Sequence, residues 1–224
     1  MLEKYLFATA AIVAGGVLAQ TDAQREKYAK WNYVMDIWGY AWEPFEVTTE
    51  DGYILTTFRV TGKKDAETPY APTKSSVIFN HGLYGEAWNW PASFKESKPS
   101  MFMLADQGYD IWMTNNRGTE YSYQHTSMDA AKDTKYWEFS WAEMGLYDDK
   151  ANIKLVKEKS GDNKVVWVGW SQGTTQLLYG LAKEKLTSDT FFADNLSRAV
   201  LLTPCTVTNT LGYDWYENGM FRYQ

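Results

Sequence analysis

Gly169-Trp170-Ser171-Gln172-Gly173 sets a serine between two glycines at the spacing G-x-S-x-G. A serine hydroxyl is a weak nucleophile until a base takes its proton and fixed dipoles stand ready for the oxyanion that forms. The spacing suits that task. A chain that leaves a buried strand and enters a helix within a few residues forces the serine into a strained backbone conformation, and Gly169 and Gly173 remove side chains that would collide in so sharp a turn. Ser171 would then stand at the C-terminal edge of a sheet and at a helix N-terminus, whose unpaired N–H groups favour negative charge. An inert serine in a tight turn meets the same pattern. The flanks separate the two readings, because residues 164–168 form an apolar run that reads as a buried strand and residues 172–185 read as a helix.

A second stretch, Asn80-His81-Gly82-Leu83-Tyr84-Gly85, directly follows the apolar run Val77-Ile78-Phe79. A glycine after an early strand lets the backbone approach a substrate, and a main-chain N–H there can face the developing oxyanion. The expected donors are the N–H groups of Leu83 and Gln172. His81 reads as a residue that orients this loop by hydrogen bonding rather than as a base.

These groups need a scaffold. Residues 45–49 and 53–60 alternate apolar with polar side chains around the turn Glu50-Asp51-Gly52, which predicts a β-hairpin. Residues 21–40 read as a short helix or lead-in, and 61–75 as a surface loop with Pro69 and Pro72. Strands are then expected at 76–79, 109–114, 164–168 and 198–202. Helices are expected at 101–107, closed by Gly108, at 143–158 and at 172–185. Strands alternating with helices imply an α/β fold, a mostly parallel sheet preceded by an antiparallel hairpin.

Composition narrows the partners. The 224 residues suffice for one domain and are 45% apolar, with a net charge of −6 and no long basic run, which argues against nucleic acid and against a polybasic membrane patch. The 11 Trp and 16 Tyr imply a large aromatic core; a surface that faces apolar or sugar ligands is the competing reading. No metal or cofactor is expected. Residues 1–19 read as a signal peptide: Lys4 precedes an uncharged run, and Val17-Leu18-Ala19 offers small residues at the cleavage positions. That run is about 15 residues, short of the ~20 that span a bilayer, although an uncleaved anchor is the competing reading. The mature domain is then 20–224, with no transmembrane segment after the signal. It is expected in the secretory pathway, exported or delivered to a lysosome-like compartment. Cys205 is the single cysteine, so no disulfide closes within the chain, and Asn195-Leu196-Ser197 is a glycosylation sequon.

At this point a family resemblance emerges. The stretches that carry it are residues 45–55, Asn80-His81-Gly82-Leu83, Asn115-Asn116-Arg117-Gly118-Thr119 with Tyr121-Ser122, residues 137–145 with Tyr147-Asp148, and residues 169–176. In this order the chain resembles the acid lipase family that includes lysosomal and gastric lipases. The resemblance implies the α/β-hydrolase fold, Ser171 as nucleophile, and hydrolysis of neutral lipid esters such as triacylglycerols or cholesteryl esters at a lipid–water interface. Two departures stand out. Trp170 occupies a position that is usually His in the family. In addition, the triad order in this fold is Ser, then Asp or Glu, then His, and the only two histidines, His81 and His125, both precede Ser171. The triad acid and base are therefore expected beyond Gln224, in the cap and last strands that the family's chains carry. Asp148 and Asp149 match no triad position and read as partners of Arg117 or as helix charges. A secreted, non-catalytic relative that binds a lipid or a partner is the alternative; a peptidase or thioesterase on the same fold is a third reading.

Overall fold

The computed structural model describes residues 26–68, 70–92 and 97–206. The signal-peptide segment, Pro69 and the aromatic residues after 206 lie outside them. Near the start of the described residues is helix α1 (Ala29–Trp38), which ends at Gly39 with φ +71°. It leads into strands β1 (Tyr40–Thr48) and β2 (Tyr53–Lys63), paired antiparallel in register from Tyr40 opposite Lys63 to Thr48 opposite Ile54. The hairpin is longer than the alternation alone implies. Trp42 on β1 and Phe58 and Val60 on β2 are buried with Trp31 and Met35 of α1, so packing against the helix extends both strands.

The chain then alternates strands and helices. In order come β3 (Lys74–Asn80), α2 (Ser100–Asp106), β4 (Tyr109–Met113) and a two-residue β5 (Gln124–His125). Helix α3 (Trp141–Glu143) passes through a π-helical turn, Met144–Asp148, into α4 (Asp149–Ser160). The last described elements are β6 (Val165–Trp170), α5 (Gln172–Thr187), α6 (Phe191–Asn195) and β7 (Leu196–Leu202). The sheet order is β1-β2-β4-β3-β6-β7, with β5 also on β2. β1, β2 and β4 pair antiparallel, whereas β4, β3, β6 and β7 run parallel. This is the expected mostly parallel sheet behind an antiparallel hairpin.

Period-two alternation splits the strand side chains between two cores. Val77, Phe79, Ile111 and Met113 pack beneath α1 and α2 on one face. Ile78, Trp112, Val165 and Trp167 pack beneath α4, α5 and α6 on the other, against Ile153, Val156, Leu177 and Phe192. Burying each such side chain contributes about 1.5–3 kcal/mol, so these two layers hold the strand ends in place. The aromatic core is therefore real, with Trp31, Trp112 and Trp167 fully buried, while Trp88, Trp137, Trp141 and Trp170 are exposed.

Local chemistry set several boundaries that periodicity alone missed. Ser140 caps the helix start: its hydroxyl accepts from the Ala142 N–H, and Glu143 closes the capping box, so the helix begins at Trp141 rather than Glu143. The π-turn adds a residue to the spiral and has no periodic signature. Among the described residues no helix is long and apolar enough to cross a membrane.

Candidate active site

Register brings the two glycine-bearing motifs together. In the parallel pair β3/β6, Asn80 lies opposite Gly169. Just past that pair, a Cβ on Gly82 would lie 3.1 Å from the Ser171 Cβ, and Leu83 and Gln172 line the same cavity. Ser171 has φ +51° and ψ −117°, a strained conformation for a side-chain-bearing residue. Its N–H donates to Leu202 O on β7 at 3.0 Å, and its carbonyl accepts from the Thr174 N–H at 2.9 Å and from the Thr174 hydroxyl at 2.6 Å. The elbow is thus tied to the next strand and to the first turn of α5.

The glycines are required by contact. A Cβ on Gly169 would lie 2.7 Å from Gly173 O. One on Gly173 would lie 2.7 Å from Asn80 O and 2.8 Å from His81 O, so the first turn of α5 touches the main chain at the end of β3 and the start of the HG loop directly. One on Gly145, in the π-turn, would collide with the main chain of Gln176 on α5. Sequence reasoning missed Gly145, whose need arises only from this helix–helix approach.

Gln172 is the first residue of α5, so its N–H has no carbonyl one turn earlier to meet. Neither it nor the Leu83 N–H has an acceptor among the described residues. The two expected oxyanion donors are therefore without acceptors among the described residues, Leu83 in the loop after β3 and Gln172 at the start of α5.

His81 is buried, and both ring nitrogens are engaged. The Asn116 N–H donates to Nε2 at 3.1 Å, which makes Nε2 the acceptor and leaves Nδ1–H to donate to Gly82 O at 2.8 Å. Burial pulls its pKa down to about 4, against the opposing Gly82 bond, so the ring is neutral at ordinary pH. His81 holds the loop, as its position implied. His125 is likewise committed: Nε2 meets Asp51 O at 2.9 Å, and Nδ1 accepts from the N–H groups of Ser127 and Met128 at 3.0 and 3.1 Å. Neither histidine is free to act as a base for Ser171. What lies near the hydroxyl instead is Cys205, with Sγ 3.8 Å from Ser171 Oγ.

Behind the site runs a buried polar layer that the sequence did not reveal. Asn80 Nδ2 donates to Gln176 Oε1 at 2.7 Å, and the Thr114 hydroxyl donates to Asn80 Oδ1 at 2.9 Å. Gln172 and Gln176 both donate to Met144 Sδ at 3.3 Å. These bonds bolt β3, α5 and the π-turn together. The two neighbouring aspartates divide. Asp148 does pair with Arg117, which also forks onto Asp51 at 2.6 and 2.9 Å and stacks 3.9 Å over the Tyr53 ring. Burial pushes Asp148 up to about 6 even against the pull of Arg117. Asp149 corrects the expectation: it is neither an Arg117 partner nor a surface helix charge. It is fully buried, its Oδ1 receives Asn80 Nδ2 at 3.4 Å, its Oδ2 has no partner among the described residues, and burial raises its pKa well above the carboxylate range. The aspartates' adjacency in sequence carries no hint that they face different surroundings.

Comparison with known proteins agrees with this geometry. Residues 75–221 match the family model for the alpha/beta hydrolase fold, and residues 31–94 match that of the partial alpha/beta-hydrolase lipase region. The chain belongs to the α/β-hydrolase family. The relatives it matches carry lipase names. It is 43% identical over 142 residues to mouse (Mus musculus) lipase member K, covering 63% of this chain and 35% of that protein. It is 36% identical over 162 residues to human (Homo sapiens) lysosomal acid lipase/cholesteryl ester hydrolase, covering 72% and 39%. This chain thus spans well under half the length of those relatives. Among solved structures, carboxylesterase CesB from Bacillus subtilis aligns with a TM-score of 0.52 at 16% identity, over 89% of this chain and 56% of that one, a likeness of fold.

Proposed function

We propose that this α/β-hydrolase is a serine ester hydrolase of neutral lipid esters, with Ser171 as nucleophile and the N–H groups of Leu83 and Gln172 as its oxyanion hole. The observation that carries the reading is the elbow: Ser171 at positive φ, on a helix N-terminus, beside two unpaired main-chain donors. Such a site attacks an ester carbonyl, gathers the negative charge on the two N–H groups, and passes through an acyl-enzyme that water releases. The relatives' lipase names favour lipid esters, triacylglycerols or cholesteryl esters, over peptides or thioesters. Residues 1–19 favour the secretory route, and the sequon at Asn195 is proposed as a glycan site.

The chemistry needs a general base that His81 and His125 do not supply. That observation favours one second reading, a non-catalytic relative that retains the fold and binds lipid. The experiment begins by reading the transcript through codon 224 and onward, then expressing the protein it encodes. Rapid labelling of Ser171 by a fluorophosphonate, and turnover of trioleoylglycerol that Ser171→Ala abolishes, are expected. A protein that binds lipid vesicles but neither reacts nor turns over would make the binding reading the correct one.

A further inference from the structure

Beside the HG loop lies a cavity of about 460 Å³, within the size range of small-molecule sites. Leu83 and Gln172, which carry the two expected oxyanion donors, line it. Two apolar side chains of its wall are accessible, Leu83 at 37% and Trp137 at 43% exposure. The Trp137 ring is fixed in place. Its Nε1–H donates to Ala130 O at 2.9 Å, and its Cζ3 edge packs on Gly118, where a Cβ would lie only 3.2 Å away. That Cβ would also lie 3.0 Å from Phe139 Cζ, so Gly118, Trp137 and Phe139 form one continuous stretch of wall. A ring held this way meets an apolar chain with little further loss of conformational freedom.

An ester has an acyl arm and an alcohol arm, and the chemistry decides which of them enters. When Ser171 Oγ adds to the carbonyl, the tetrahedral carbon carries Oγ, the oxyanion, the acyl carbon and the alcohol oxygen. A general base takes the proton from Oγ and returns it to the alcohol oxygen, so it must reach both. None of the histidine or carboxylate side chains that line the cavity is free to do this. Both nitrogens of His81 are engaged, Glu86 accepts from the N–H groups of Glu120 and Asn89, and Glu120 pairs with Lys30 at 2.5 Å. Ser171 itself does not line the cavity, and its Oγ stands beside Cys205 instead. The alcohol oxygen therefore lies with the base on the Cys205 side, and the acyl arm is left for the cavity. We propose that this cavity is the acyl-chain subsite and that Trp137 is a specificity residue that reads the length of the chain. The inference rests on the ester-hydrolase reading of the site and names which arm of the substrate it selects.

The test uses ethyl octanoate and hexyl butanoate, isomers that differ only in which side of the carbonyl carries the longer chain. Measured on the full-length protein, the ratio of their kcat/KM values cancels any loss common to both. Burial of a methylene is worth about fourfold, so the four extra acyl methylenes of ethyl octanoate report the Trp137 contact. Trp137→Ser is expected to move the ratio about fivefold toward hexyl butanoate, and Trp137→Phe, which keeps an aromatic wall, to hold it within about twofold. A shift below about twofold with Ser, a shift toward ethyl octanoate, or equal shifts with Ser and Phe would overturn the proposal. Should Trp137→Ser fail to fold, Leu83→Ala is expected to move the ratio the same way, and an unchanged ratio would overturn it equally. Failure of the hydrolase reading shows separately, as absence of turnover of either ester by the parent. The Kd values of the two esters, read by isothermal titration, then carry the comparison, and a Kd ratio that Trp137→Ser leaves unchanged would overturn the subsite.

Discussion

Gly82 packs face to face against Ser171: a Cβ built on Gly82 would lie 3.1 Å from the serine Cβ and 3.3 Å from the Trp170 carbonyl oxygen. The HG loop and the proposed nucleophile are therefore at contact distance, with Gly82 against the Ser171 Cβ, the Trp170 ring and the Trp170 carbonyl. Gly82→Ala must push the loop outward by a few tenths of an ångström, which carries the Leu83 N–H away from its target. Full loss of one oxyanion donor costs about 10²–10³ in kcat, and a partial displacement should cost roughly tenfold with KM little changed. Steady-state kinetics on the full-length protein check this, and an unaltered kcat would show that the loop does not contribute a donor.

The π-turn makes a parallel prediction about stability. Gly145 faces the Gln176 main chain on α5, where no side chain can rotate aside. Gly145→Ala should destabilise the fold by about 1–3 kcal/mol, as overpacking of a close helix contact does. Urea unfolding of the two proteins measures it. A midpoint unchanged from the parent would mean that α3, the π-turn and α5 are less closely packed than the structure has them.

Buried carboxyls make stability depend on pH. Burial raises both Asp148, to about 6, and Asp149, so each favours folding fully below the ordinary carboxylate pKa and loses that contribution as pH rises through its folded value. His81 acts oppositely: its depressed pKa, about 4, stabilises above the ordinary imidazole value and is lost as pH falls through 4. Asp148 and His81 therefore largely offset one another between pH 4 and 6.5, which leaves Asp149 exposed to measurement. Asp149→Asn keeps the shape and removes the charge. Its Tm should match the parent near pH 4 and exceed it increasingly toward pH 7. A difference that is flat with pH would show that Asp149 is not the strained group.

Asn195 tests when modification happens. Its Nδ2 donates to Phe191 O at 2.6 Å, its Oδ1 receives Lys157, and the sequon serine hydroxyl donates to Val165 O at 3.1 Å. A glycan on that nitrogen must be attached before α6 closes. Partial occupancy is expected in protein expressed through a eukaryotic secretory pathway, read as a doublet that glycosidase treatment and Asn195→Gln both collapse. Full occupancy would mean that the end of α6 opens readily in the folded domain.

The layout, and the motifs that make up the candidate site, were legible in the residues to a large degree, because their signals are local. G-x-S-x-G needs only its own strand and helix to be recognised, and the apolar runs at 76–79, 109–114 and 164–168 mark strands wherever they pair. The Asp51-Gly52 turn likewise declares the hairpin. Other features arise from approach between segments far apart in sequence, and no local pattern encodes them. The register that sets Asn80 opposite Gly169 brought Leu83 and Gln172 to one cavity. Helix packing decided that Gly145 must be glycine, and it sent Asp148 to Arg117 while burying Asp149 beside Asn80. The neutral tautomer of His81 likewise came only from the folded chain. A side chain's type and spacing state what chemistry it can perform; its partners, and so its charge and its freedom to act, are set by whichever distant groups the packed fold brings within hydrogen-bonding reach.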